Sequence, residues 1–374
     1  MRRIYDCFLF DGEFVMLAHR IAELDGVVDQ HILVEGAQTM QGASKPLAWA
    51  EARATRPDLA ARIRHVGLPR LGPADSSGWD REAFQRNAAV FALQDARPDD
   101  LVLILDVDEI PDPAVLRRLK RDGLERPMRL GMTRHYEHPL RLGPRSPCCA
   151  DPTLPFATAL PRLKPGRWEA LDPMWFCAPG VVVRVMDILG DPARGLPPRS
   201  MQFLRRGLLA APVIPDAGRH FSYVDPAARP AWKFRRFAHA DLATNRTTDP
   251  HHLERCRTHG MHHKGWWYAE VPKGPVPADI GRLMTRLAEA GAPAEPAVGR
   301  GRLARGILRN HAARRSTSRQ PDARIARIDR HFGRVLPLLL PALALEAVAR
   351  RVQRLIMHRR DAAGAAPIGQ SHHV

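Results

Sequence analysis

Asp106 and Asp108 stand two residues apart at the end of the apolar run Leu101-Val102-Leu103-Ile104-Leu105, with Glu109, Ile110 and Pro111 directly after. Side chains at i and i+2 of a strand share a face, so the spacing predicts two carboxylates projecting together just beyond a buried strand. At ~5 Å and an effective dielectric of ~20 their repulsion is about 3 kcal/mol, so one keeps a proton or a divalent cation sits between them. Such oxygen donors suit Mg²⁺ or Mn²⁺, which complete their shells with water and nucleotide phosphates. The same spacing also serves as a solvated turn, a helix N-cap or the nucleophile motif of phosphatases. The last of these lies near the start of its domain with Thr or Val two places on, whereas here Ile110 follows and residues 1–105 precede.

The elements that must position this pair alternate along the first third of the chain. Ile4 to Leu9 reads as a strand, Glu13 to Leu24 as an amphipathic helix and Gln30 to Val34 as a second strand ending at Glu35. Arg62 to Val66 is a short third strand. Asp80 to Gln94 is a helix with Phe84, Ala88 and Phe91 on one face, and Leu101 to Leu105 is a buried fourth strand. Alternating strands and helices predict an α/β fold with a mostly parallel central sheet, whose ligands bind at the carboxyl ends of the strands. Another strand is expected from Met128 to Met132, then loops through a Pro/Gly-rich middle over residues 139–218, and a helix from Pro230 to Ala243.

Length and composition set the bounds. The 374 residues are 45% hydrophobic, enough for one large α/β domain with an extension. The longest greasy segment, Val335 to Val348, is interrupted by Pro337 and Pro341 and falls short of the ~20 residues needed to span a bilayer. The amino terminus has no apolar stretch of signal-peptide length. Cys7, Cys148, Cys149, Cys177 and Cys256 are few and irregularly spaced, which fits a reducing compartment, so a cytoplasmic location is expected. The formal charge of +17 is concentrated late: residues 271–374 hold 19 Lys and Arg against 7 Asp and Glu. The expected organisation is a catalytic domain over residues 1–270, a Pro/Ala/Gly-rich linker over 271–303 around one short helix, and a basic helical C-terminal extension over 304–374 with a disordered end.

Several motifs in order carry a resemblance. Ile4-Tyr5-Asp6-Cys7-Phe8-Leu9-Phe10, Leu33-Val34-Glu35, Lys45-Pro46-Leu47, Trp79-Asp80-Arg81-Glu82, Gln85-Arg86-Asn87, Asp106-Val107-Asp108-Glu109-Ile110-Pro111 and Gly218-Arg219-His220-Phe221-Ser222-Tyr223 resemble glycosyltransferase family 17 across roughly residues 1–245. The resemblance implies a GT-A-like nucleotide-sugar-binding fold and an inverting, metal-dependent transfer. The sugar it implies is GlcNAc from UDP-GlcNAc, passed in β-linkage to a glycan or glycolipid hydroxyl, with Mn²⁺ (or Mg²⁺) as cofactor. Composition and spacing alone point only to a metal-and-phosphate site on an α/β sheet.

Within that frame Asp108 is the leading metal ligand, Asp106 is a second ligand or a ribose contact, and His220 returns to the metal as a neutral imidazole. Glu109 orients the loop or caps the turn. Arg86 and Asn87, on the helix before the acidic strand, reach the nucleotide or face solvent. Tyr5, Asp6 and Glu35 line the uridine pocket, with a structural role for Asp6 as the alternative, and Lys45 neutralises diphosphate charge. Inversion needs a general base, and a carboxylate is the usual choice. Glu137, Glu169, Asp172 and Asp187 are candidates, with Glu169 and Asp172 ahead because Trp168 and Trp175 nearby would stack on a sugar face.

Two further features bear on partners. His251, His252, Cys256, His259, His262 and His263 invite zinc, but one cysteine and this spacing match no familiar structural site, so a polar loop and helix near the rim is expected. Arg350, Arg351, Arg354, Arg359 and Arg360 beside Val352, Leu355 and Ile356 suit a helix lying on anionic lipid at the inner membrane face. Coding bias toward arginine is the plain alternative, and nucleic acid is disfavoured because no recognised binding module accompanies the charge. The competing function is a non-catalytic membrane- or nucleic-acid-associated binding protein on a degenerate transferase scaffold.

Overall fold

The computed structural model describes residues 1–142, 180–207, 211–226, 230–238, 248–259 and 275–292. The chain divides into two units, Met1–Ala304 and Arg305–Val374, and every described residue lies in the first.

Strand β1 (Ile4–Leu9) leads into helix α1 (Phe14–Glu23), then β2 (Gln30–Gly36), the short helices α2 (Ala48–Ala52) and α3 (Pro57–Ala60), β3 (Ile63–Leu68) and α4 (Gly78–Asn87). Next come β4 (Leu101–Asp106), β5 (Glu109–Pro111), α5 (Pro113–Asp122), β6 (Met128–Leu130) and β7 (Thr133–Tyr136). After them follow β8 (Gly180–Arg184), α6 (Val185–Leu189), α7 (Met201–Gly207), β9 (Val213–Ile214) and β10 (Gly218–Ser222). Helices α8 (Pro230–Phe234), α9 (Pro250–His259) and α10 (Ala278–Glu289) complete the set among the described residues.

Among the described residues seven strands form one sheet in the order β3-β2-β1-β4-β8-β6-β9, and β5-β10-β7 form a second. The β3-β2-β1-β4 half is parallel throughout, whereas β8 runs antiparallel to both β4 and β6. The fold is thus mixed α/β with a mostly parallel central sheet, as the element pattern predicts.

Alternation along the two central strands explains why they are central. Ile4, Phe8, Leu101, Leu103 and Leu105 pack on one side with Met16, Leu17 and Ile21 of α1 and Ile280, Leu283 and Leu287 of α10. Tyr5, Cys7, Val102 and Ile104 pack on the other side with Ala88, Ala89, Val181, Val183 and Leu204. Each fully buried aliphatic side chain contributes about 1.5–3 kcal/mol. The short helix expected in the 271–303 segment is α10. It is docked into the core and tied by Arg282 to Glu23 and by Arg219 of β10 to Asp279.

Three readings of local structure are corrected. The helix expected over Asp80 to Gln94 is α4 continued by a 3₁₀ turn, Ala88–Ala92. Its inward side chains include Gln85, Arg86 and Ala88, whereas Phe84 and Phe91 are exposed, because the helix answers polar groups at the sheet end as well as apolar ones. The middle expected to be loops supplies a central strand, β8, whose Val181-Val182-Val183 is fully buried. The helix expected from Pro230 to Ala243 runs as α8 only to Phe234. Among the described residues no helix is long and apolar enough to cross a membrane.

Candidate functional site

Strand β4 ends at Asp106, and Val107 and Asp108 form a turn before β5. The i, i+2 rule therefore does not carry through to Asp108, and the two aspartates have separate partners. Asp106 shares its face of the sheet with Val102 and Ile104, toward α4 and α7. Arg86 Nη2 donates to its Oδ1 at 2.9 Å and Arg205 Nη2 to its Oδ2 at 2.7 Å. Desolvation opposes the charge on Asp106, but Arg205 and Arg86 outweigh it and hold the carboxyl well below the usual carboxylate range.

Asp108 is turned toward the second sheet. Phe221 N donates to its carbonyl at 2.8 Å, and β10 pairs antiparallel to β5 with His220 opposite Glu109. That register brings His220 Nε2 to 3.7 Å from Asp108 Oδ1, with Lys233 Nζ of α8 at 3.2 Å from Oδ2. Burial pushes the His220 imidazole below its ordinary value despite Asp108 and Glu109, which favours the neutral ring a metal would need. Burial opposes the charge on Lys233, but Asp108, Tyr223 and Glu13 outweigh it and keep the ammonium protonated.

The loop between the aspartates is held from beneath. Arg20 is fully buried and donates through Nη1 to the carbonyls of Asp106, Val107 and Glu109 at 3.1, 3.3 and 2.6 Å. Asp6 grips the same guanidinium at Nε (2.7 Å) and Nη2, and His31 Nδ1 lies 2.8 Å from Asp6 Oδ2. Glu109 accepts from Asp106 N at 2.8 Å and from Arg205 at 2.8 and 2.9 Å, so it orients the loop as expected.

Four expected nucleotide contacts hold the scaffold instead. Tyr5 lies at the amino end of β1, buried in the core, where burial pushes its phenol up to about 12. Asp6 faces α1 on the same side as Ile4 and Phe8, which makes it the counter-ion of Arg20. Glu35 caps α2, accepting from Trp49 N and Ala50 N at 2.9 Å each, and touches His65 at 2.9 Å. Asn87 Oδ1 accepts from Gln202 N at 3.0 Å at the start of α7. For Tyr5 and Asp6 the physical reason is register. β1 runs to Leu9, so its carboxyl end presents Asp11 and Glu13, not Tyr5 and Asp6.

Lys45 also has a partner, Asp11 Oδ1 at 2.8 Å, and Arg236 binds the same carboxylate at 2.7 and 2.8 Å. Glu13 is buried beside them and accepts from Asp11 N at 2.8 Å. Burial, with Asp11 adding to it, pushes the Glu13 carboxyl up to about 8.

Of the candidate bases, Glu169 and Asp172 lie outside the described residues. Asp187 pairs with Arg184 at the amino end of β4, away from the aspartate loop. Glu137 N donates to Ser222 O at 2.8 Å, which puts Glu137 beside the last residue of β10. In the histidine-rich segment, His252 Nε2 and Cys256 Sγ approach to 3.5 Å across one turn of α9, and His262 and His263 lie outside the described residues.

Sequence reasoning missed Arg205, Lys233, Arg236, Asp11 and Arg20. Asp11 and Glu13 carried a usable signal, as carboxylates directly after the first strand. The basic residues carried none, because, the Asp6 partner of Arg20 apart, the groups they hold lie 86 to 225 residues away.

Among the described residues no three His, Cys, Asp or Glu side chains converge as a ready metal cage. The candidate donors are one carboxylate oxygen of Asp108 and Nε2 of His220. Two cis ligands of a divalent ion at ordinary bond lengths stand about 3 Å apart, so the 3.7 Å between these atoms would have to shorten and Ser222 Oγ, 3.1 Å from His220 Nε2, would have to give way. An oxygen–nitrogen pair of this kind fits a divalent cation that takes its remaining ligands from water and phosphate.

Comparisons with known proteins agree with the resemblance over the part that carries this loop. The family model of glycosyltransferase family 17 matches residues 1–140. The β-1,4-mannosyl-glycoprotein 4-beta-N-acetylglucosaminyltransferases of Rattus norvegicus and Homo sapiens are each 31% identical over 117 residues, which is 29% of this chain and 22% of theirs. The chain thus spans about a fifth of the curated relatives it matches. The match ends near β7, short of the 1–245 span of the sequence motifs. A solved structure of glucosyl-3-phosphoglycerate synthase from Mycobacterium tuberculosis in complex with Mn²⁺, uridine-diphosphate and phosphoglyceric acid is 19% identical, with a TM-score of 0.30. It covers 58% of this chain and 69% of that one.

Proposed function

We propose that the chain is an inverting, metal-dependent glycosyltransferase that moves a sugar, GlcNAc from UDP-GlcNAc, to a hydroxyl of a glycan or glycolipid. The observation that carries this reading is the acidic turn at the carboxyl end of β4. It places Asp108 beside His220 and Lys233, and Asp106 beside Arg86 and Arg205. Carboxylate and imidazole donors next to three buried or half-buried cations suit a ligand that brings both a divalent ion and phosphates.

Asp108 and His220 would hold Mn²⁺ or Mg²⁺. When bound, the ion supplies positive charge for the diphosphate as the glycosidic bond breaks. The chain's own part is orientation and counter-charge. Arg20 fixes the carbonyls of the turn, and Glu109 and Arg205 fix Asp106. Arg86, Arg205 and Lys233 put positive charge where the leaving group gathers negative charge. Residues 143–179, which include Glu169 and Asp172, are the place to seek the base. The arginine-rich residues 350–360 support work at the inner face of a membrane, where lipid-linked acceptors lie.

The test is Mn²⁺-dependent UDP release by purified protein across a panel of UDP-sugars without acceptor, comparing wild type with Asp108→Ala. Cleavage of UDP-GlcNAc alone, lost in the variant, supports donor and site together. If no UDP-sugar is cleaved and calorimetry finds no UDP binding with Mn²⁺, the binding-protein alternative replaces this reading.

A further inference from the structure

Lys233 occupies an unusual place. Its ammonium lies 3.2 Å from Asp108 Oδ2, on the carboxylate whose other oxygen faces His220 Nε2 at 3.7 Å. Asp108 is 4% exposed, so water does little to screen charges gathered on it. The ammonium is also seated against two rings, 5.2 Å from the centroid of Tyr223 and 4.6 Å from that of Phe237, which favour a cation at that spot.

The segment carrying Lys233 is a strap pinned at both ends. Lys233 holds it to the β4 turn. One turn on, Arg236 pairs with Asp11 at the end of β1 and its carbonyl accepts from Met40 N at 2.8 Å. Gln41 Nε2 donates to the Phe237 carbonyl as well. The strap therefore runs along the carboxyl ends of β1 and β4, the edge at which a parallel sheet receives its ligand.

We propose that the Lys233 ammonium is a built-in counter-ion for Asp108 that a divalent cation must displace, so that metal binding releases the strap's anchor at the β4 turn while Arg236 keeps the other end fixed. The inference rests on the reading of Asp108 and His220 as divalent-ion ligands. A divalent ion drawn between Asp108 Oδ1 and His220 Nε2 would sit within a few ångströms of the ammonium, and two like charges in a buried site exclude one another. Freed from Asp108, the ammonium becomes available to a diphosphate. Metal and phosphates would then load cooperatively, because the phosphates give the displaced lysine a new partner.

The experiment is titration of the full chain with Mn²⁺ alone, followed by calorimetry and by the paramagnetic resonance of free Mn²⁺. It compares wild type, Lys233→Met, Lys233→Arg and Asp108→Asn, with thermal unfolding confirming that each is folded. Lys233→Met is expected to bind Mn²⁺ at least tenfold more tightly than wild type. Lys233→Arg should stay within threefold, and Asp108→Asn should lose binding. Should Lys233→Met fail to fold, Lys233→Gln carries the same expectation. An unchanged or weaker Mn²⁺ affinity in a folded neutral variant overturns the inference while leaving the metal-dependent reading in place. If no variant binds Mn²⁺ and wild type binds UDP in EDTA, Lys233 is the permanent cation of the site. The displacement inference and metal dependence then fall together, while nucleotide recognition stands.

Discussion

Asp6 and Arg20 form a fully buried ion pair between β1 and α1, and the same guanidinium donates to the carbonyls of Asp106, Val107 and Glu109. The pair joins the first strand to the acidic turn a hundred residues later. The turn's backbone therefore depends on a charge that never meets solvent.

Asp6→Asn is expected to lower stability by about 3–5 kcal/mol, the usual cost of leaving one member of a buried pair unmatched, as measured by urea unfolding. The sign of the pH effect follows. Burial raises the Asp6 carboxyl, but Arg20 and His31 reverse this and depress it far below its unfolded value. Its contribution is fully present above an unfolded pKa near 4 and is lost as pH falls toward the folded one. The Asn variant should lose that part of the acid dependence.

Arg205 matches two carboxylates at once, Asp106 and the 1%-exposed Glu109. Arg205→Met leaves Glu109 buried without its counter-charge, for a loss of about 3 kcal/mol in chemical denaturation. UDP affinity in the presence of Mn²⁺ should drop at least tenfold. Arg205→Lys restores charge but not the fork, so it should recover stability only in part.

Glu13 gives a pH dependence of the opposite kind. Its folded carboxyl is pushed up to about 8 by burial and by Asp11, above its unfolded value of about 4.3. Between these values the unfolded chain has released a proton that the folded one keeps, so stability falls as pH rises through this window and levels off above 8. Glu13→Gln should flatten the slope, gaining on the order of 2–4 kcal/mol relative to wild type at pH 8.5. Thermal unfolding across pH 5–9 checks it.

Gly218 opens the strand that brings His220 to Asp108. Its φ is +149°, and a Cβ there would lie 2.3 Å from Ile110 O and 2.7 Å from Pro111 Cα. Gly218→Ala should cost about 2–4 kcal/mol and push β10 from β5. The readout that separates this from general destabilisation is Mn²⁺ affinity well below the melting range, which should weaken as His220 moves off Asp108.

The parallel half of the sheet and its acidic end were legible because they rest on local pattern. Ile4 to Leu9, Gln30 to Gly36 and Leu101 to Asp106 advertise their burial by composition, and a hydrophobic strand broken by Asp106 and Asp108 marks a carboxyl end. The expectation that Glu109 orients the loop or caps the turn rests on local contact too, since its hydrogen bond from Asp106 N spans only three residues. Strand β8 was harder to see, because three valines between prolines and glycines satisfy a loop's composition as well as a strand's.

Which charges meet was decided by the tertiary structure. Arg20 and Asp106 are 86 residues apart, Arg205 and Asp106 are 99 and Lys233 and Asp108 are 125. An arginine on a short helix carries no mark of the carboxylate it will face. By itself the sequence determined an α/β sheet with carboxylates at the carboxyl ends of its strands, because strand burial and alternation are written in consecutive side chains. Only the folded chain decided that Asp6 and Glu35 serve the scaffold, that Asp106 is matched by arginines, and that Asp108 shares its place with His220 and a lysine. Such pairings depend on register between distant strands, and register is settled by the packing of the whole core.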